Sequence, residues 1–159
     1  MTPVVISTYD DLRAALGKEL GSGDWVKIEP DQVARFASAC RNGRFHQFDE
    51  DALPCSGNSD LLGKLLLLSL LGRLRSTMES VKFSYASTMN IFYGYDNVRF
   101  FGGLSTPATI RLHLNIVEAR LLGDSAIHAV YGHRLEMSDG RTALTADVIN
   151  RIYLRKPAH

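Results

Sequence analysis

Leu12, Leu16 and Leu20 recur four residues apart, a one-sided apolar stripe that predicts a short amphipathic helix over residues 10–20, closed by Gly21 and Gly23. The period then changes, and Trp25, Val26, Lys27 and Ile28 read as a short strand. Pro30 and Asp31 open a second helix whose Val33, Phe36, Ala37 and Cys40 fall at i, i+3, i+4 and i+7, which makes Cys40 a small core residue. Residues 41–60 are polar, lack a sustained period and contain Gly43, Pro54 and Gly57, so they predict a loop with short helical turns. Loops of that length often carry function. Residues 61–71 are apolar nearly all round, as in a helix enclosed on most sides, with Asp60 placed to cap it.

Beyond Glu79 the pattern becomes strand-like. Ile110, Leu112, Leu114 and Ile116 alternate with Arg111, His113 and Asn115, giving a buried and a polar face. Ser138, Asp139 and Gly140 join the runs 126–136 and 142–154 as a hairpin. Short N-terminal elements, one very apolar helix and then a meander of long strands predict an α+β fold, an antiparallel sheet wrapped around a central helix. With no repeat, linker or low-complexity stretch, residues 1–159 are expected to form a single domain.

Composition narrows the functional classes. A chain of 159 residues with 45% hydrophobic content can bury a core without a stapling disulfide or metal. Eighteen basic against seventeen acidic residues give a formal charge of +1, too balanced for a protein that works by neutralising phosphates, so nucleic acid is not expected as a partner. Cys40 and Cys55 lack CxxC spacing, which points to a reduced, cytoplasmic setting, and the first ten residues carry no basic, then apolar, export signal. The run 61–71 contains Lys64 and is followed by Arg73 and Arg75, well short of the ~20 apolar residues a membrane span needs. His113, His128 and His133 show no metal-ligand spacing, and neither a metal nor a cofactor is expected.

Four stretches resemble the MaoC-like hot-dog proteins, the group of the (R)-specific enoyl-thioester hydratases and the nodulation-N-type proteins. Residues 33–39 resemble the helix before that family's catalytic loop, and residues 61–74 its central helix. Tyr93-Gly94-Tyr95-Asp96-Asn97-Val98-Arg99-Phe100 is similar to its Tyr-Gly-x-Asn-x-Val-Arg-Phe strand, and residues 109–153 fit the remaining sheet in pattern. The resemblance implies a hot-dog fold, a homodimer joined sheet edge to sheet edge, and a tunnel for an acyl thioester carried on coenzyme A or a carrier protein.

The same resemblance exposes departures. Where the family has an Asp and a His that activate water, an ungapped alignment places Asn42 and Gln47, amides that exchange no proton near neutral pH. Loss of such assistance costs about 10²- to 10⁴-fold per group. At the helix entry the family's carbonyl-polarising Gly aligns with Lys64, and a one-residue slip returns Gly63 to that role, with Leu65 beside them as tunnel lining. His46 takes the place of the missing His if the loop is one residue shorter, and Asp60 offers a displaced carboxylate. Tyr93 and Tyr95, flanking Gly94, can donate phenolic hydrogen bonds from one strand face, and Arg99 can meet a phosphate arm.

Three functions stay open on this reading. One is an enzyme that lost hydration chemistry and cyclises or isomerises an unsaturated, polyketide-like acyl substrate of secondary metabolism, holding a reactive conformer and polarising a carbonyl. Another is a hydratase or dehydratase with substitute groups. The third is a non-catalytic ligand-binding or partner subunit.

Overall fold

A computed structural model of the chain describes residues 3–40 and 57–155. The strand-like pattern of the C-terminal half builds the long strands β5 (Ser87–Phe100), β6 (Ala108–Leu122), β7 (Ala126–Met137) and β8 (Thr142–Leu154), following β1 (Val4–Ile6), β2 (Glu19–Ser22), β3 (Val26–Ile28) and β4 (Val81–Phe83). The main sheet runs β2-β6-β7-β8-β5, with β3 also on β6, and every pairing in it is antiparallel. Strands β1 and β4 form a separate parallel pair. The predicted hairpin is present: Gly140 adopts φ +84° and its N–H donates to the Met137 carbonyl at 2.9 Å.

Among the described residues three helices accompany the strands: α1 (Tyr9–Ala14), α2 (Pro30–Cys40) and α3 (Gly57–Ser76). Leu66, Leu67, Leu71 and Leu74 of α3 enter one core with Ile110, Leu112, Leu114 and Ile116 of β6, Ile127, Tyr131 and Leu135 of β7, and Leu144, Val148 and Ile152 of β8. Each fully buried aliphatic side chain contributes about 1.5–3 kcal/mol, so this seam between helix and sheet dominates the stability.

The first helix is shorter than the leucine spacing predicts. It ends at Ala14, Gly17 takes φ +71°, and Leu20 lies instead in β2, hydrogen-bonded to β6. Thr8 and Asp11 close a capping box at its start, each side chain accepting the other's backbone N–H. The Ser7 N–H, first, then the Thr8 and Ser7 hydroxyls and the Thr8 N–H hold the Asp11 carboxyl at about 2. Gly21 is pressed against Ser80, where an added Cβ would come within 2.8 Å of the Ser80 Cβ, so the β2 backbone fits only without a side chain.

Three further readings are corrected. Cys40 is exposed, because α2 buries no residue fully and rests on the core only through Val33 and Phe36. Helix α3 starts at Gly57, which takes Asp60 into its fourth position instead of the cap. Nor is α3 enclosed on most sides: Leu61 and Leu65 are 52% and 39% exposed, since the sheet covers only one of its faces.

Candidate functional site

The entry end of α3 holds one group of sequence candidates. Gly63 is buried, and a Cβ there would sit 2.9 Å from the Leu104 Cβ in the β5–β6 connection. The bare Cα is therefore what lets that connection close over the helix. Gly63 is the seventh residue of α3, past the four N–H groups that a helix leaves unbonded at its start. Lys64 beside it is half-buried, and Leu65 shares an open apolar strip with Leu61. Asn42, His46 and Gln47 lie outside the described residues, as does Cys55, and of Asp60 only the helical backbone is described.

Strand β5 separates the remaining candidates. Its register against β8 shifts between Phe92 and Gly94, so Tyr93 falls in the irregularity and the alternation changes phase there. Tyr95 pairs with Val148 and packs edge-on to Phe92, ring centres 4.9 Å apart, on the helix side of the sheet. Tyr93 instead lies over the Arg151 guanidinium at 4.3 Å on the opposite side. The two tyrosines thus do not share a face as an i, i+2 spacing predicts. Arg99 is also on the outer side, opposite Thr145, where a shallow cavity of about 330 Å³ is lined by Asn97, Arg99, Asn115 and Asp147. Asn97, at φ +49°, donates from Nδ2 to Asp147 at 2.7 Å and holds the rim of that cavity.

Between α3 and the sheet runs a polar network that sequence reasoning missed. The Arg75 guanidinium lies 3.9 Å from the Tyr131 ring centre and 4.7 Å from that of Phe83, and its Nη1 donates to Asn150 Oδ1 at 3.4 Å. Asn150 Nδ2 donates to Asn90 Oδ1 at 3.1 Å, tying β8 to β5. The Tyr85 and Tyr131 hydroxyls meet at 3.2 Å, and burial pushes the Tyr85 phenol upward, with the Tyr131 hydroxyl adding to it. His133, 2% exposed, donates from Nδ1 to the Tyr131 carbonyl at 2.9 Å, and burial lowers its pKa to about 4. The ring is thus neutral at pH 7 in a fixed tautomer, suited to accepting a hydrogen bond at Nε2 and poorly suited to carrying a proton.

The outer face carries the other two described histidines. His113 Nδ1 lies 2.8 Å from Glu19 and Nε2 2.6 Å from Glu136, which Arg111 also engages at 2.7 Å. Arg111, first, and then His113 hold the Glu136 carboxyl below its usual range. His128 is kept below its usual range by burial and then by Arg120. Among the described residues no group of three His, Cys, Asp or Glu is placed to hold a metal ion, and no helix is long and apolar enough to cross a membrane.

No protein-family model matches the sequence. Relatives do. The chain is 30% identical over 148 residues to nodulation protein N of Rhizobium leguminosarum bv. viciae, covering 89% of each chain. It is 29% identical over 143 residues to 3-hydroxyacyl-thioester dehydratase Z of Mycobacterium tuberculosis, covering 89% of this chain and 93% of that one. The solved MaoC-like dehydratase of Rhodospirillum rubrum superposes with a TM-score of 0.65 at 12% identity, over 90% of this chain and 95% of that one, a likeness of fold.

Proposed function

The chain belongs to the MaoC-like hot-dog family that includes nodulation protein N, and from that premise we propose that it binds an unsaturated, polyketide-like acyl substrate and cyclises or isomerises it. The reading rests on one sequence observation: Asn42 and Gln47 stand where the family's resemblance places an acid–base pair. Amides cannot shuttle a proton in water addition, yet they can orient a carbonyl and hold a folded acyl chain, which accelerates an intramolecular reaction by positioning. The open strip of Leu61 and Leu65, beside Gly63 and Lys64, gives the acyl chain an apolar bed at the entry of α3. Tyr95 is assigned to the helix-side wall, and Tyr93 and Arg99, on the outer side, to the approach of a coenzyme A or carrier-protein arm.

The active unit on this reading is a homodimer joined along β5. That strand is the last in the sheet and exposes Met89, Phe92, Tyr93 and Tyr95, an apolar edge of the kind a second strand covers. The relative named a 3-hydroxyacyl-thioester dehydratase favours a second reading, in which His46, Asp60 or a tyrosine supplies the missing proton transfer for hydration or dehydration.

Turnover of crotonyl-CoA and longer enoyl-CoA separates the two. The proposal expects the natural protein to be silent and the double variant Asn42→Asp, Gln47→His to gain hydratase activity. Hydration by the natural protein that His46→Ala abolishes overturns it in favour of the second reading. A copy that binds acyl-CoA but converts neither enoyl nor polyketide-like thioesters is a binding subunit.

A further inference from the structure

Arg75 closes α3 at the end opposite Gly63, twelve residues or about 18 Å along the helix. Its guanidinium lies against the Phe83 and Tyr131 rings, which meet each other edge-on with centres 5.2 Å apart, and among the described residues only Nη1 has a protein acceptor, the Asn150 amide oxygen. No carboxylate among the described residues pairs with it. A cationic fork of this kind, held against two aromatic rings and left with unused donors, is preorganised for a planar anion.

The space beside it is a cavity of about 540 Å³, within the size range of small-molecule sites. Arg75, Asn90 and Asn150 supply its polar wall, and Met78, Val81 and Phe83 its apolar one. Lys82 and Glu79, both exposed at the rim, offset each other, which leaves a single positive charge. One guanidinium with two neutral amides suits a monoanion better than a dianionic phosphate, and the apolar wall suits a carbon body attached to it.

We propose that this cavity is a binding site for a small monocarboxylic acid with an aromatic or short branched body, its carboxylate on Arg75 and its body against Phe83, Met78 and Val81. The site is separate from the thioester-binding region at the entry of α3 and does not depend on the reaction performed there. Asn90 and Asn150 act as positioning residues: their mutual hydrogen bond orients the Asn150 oxygen toward Arg75 and so fixes which guanidinium edge faces the cavity.

Calorimetric titration with benzoate, benzamide and phenyl phosphate tests the assignment. Benzoate is expected to bind at millimolar concentration or below, and benzamide and phenyl phosphate about tenfold or more weakly. The Gly72→Glu variant is the decisive control: Gly72 is exposed on α3, with nothing within 4 Å of an added Cβ, so the fold tolerates the change. A carboxylate three residues before Arg75 reaches the guanidinium and should abolish benzoate binding with the melting temperature kept. Arg75→Gln should do the same where the variant folds. Absence of benzoate binding, equal binding of benzamide, tighter binding of phenyl phosphate, or unchanged binding in Gly72→Glu would each overturn the proposal.

Discussion

Two glycines in one helix, nine residues apart, live under opposite constraints. At Gly63 the Leu104 connection leaves no room for a methyl group, whereas at Gly72 the added Cβ meets nothing. Nine residues are two and a half turns, so the two positions face opposite ways, one into the protein and one outward. The halves of α3 differ in chemistry as well. The entry half is apolar, with Leu61 and Leu65 open, while the exit half ends in Arg75 set against two aromatic rings and wired through Asn150 to β5. One helix thus lays down an acyl-compatible surface at one end and a fixed charge at the other.

The largest expected effect contrasts buried with open leucines on that helix. Leu71→Ala, at 0% exposure, should cost about 2–5 kcal/mol in urea unfolding, and Leu61→Ala less than about 0.5 kcal/mol. Equal losses would mean that the open strip is in fact covered in solution, as a dimer or an ordered loop would do.

Next in size is the pH dependence contributed by His133. Its folded pKa of about 4 lies below the ordinary value of 6.5, so the unfolded state binds the proton more readily. That contribution to stability is complete above about pH 6.5 and is lost as pH falls toward 4, on the order of 3 kcal/mol. Unfolding free energies of the natural protein and His133→Gln, measured from pH 7 to 4, should differ in slope over that window. Parallel curves would remove His133 from the buried network.

The glycines themselves sharpen the contrast further. Gly63→Ala must displace Leu104 and should destabilise by about 1–3 kcal/mol. Gly72→Ala gains helix propensity in open space and should stabilise by about 0.5–1 kcal/mol. Thermal melts of the two variants with opposite signs support the facing assignment, and a shared sign breaks it.

Much of the architecture was legible because period-2 alternation over residues 110–116 of β6 reports directly on which side of a sheet is buried. The hairpin at Ser138–Gly140 and the apolar run of α3 were equally local. The first helix was not, since leucines four apart read the same whether Leu20 continues a helix or starts the strand that β6 pairs with. Tyr93 and Tyr95 were misplaced for a similar reason: a bulge inserts one residue without any mark in the hydrophobic pattern. Arg75, Asn90 and Asn150 had no signal to find, being ordinary residues in three separate elements.

By itself the sequence determined the order of elements, the sheet's buried face, the central helix and the membership of a family, because these follow from short-range periodicity and from residues adjacent in the chain. Tertiary structure alone decided which face each β5 tyrosine takes, how much of α3 lies open and where the Arg75 guanidinium meets a cavity. Those outcomes depend on register and on contacts between residues as far apart as 75 positions, and the chain's local pattern carries no energy for such contacts until it is folded.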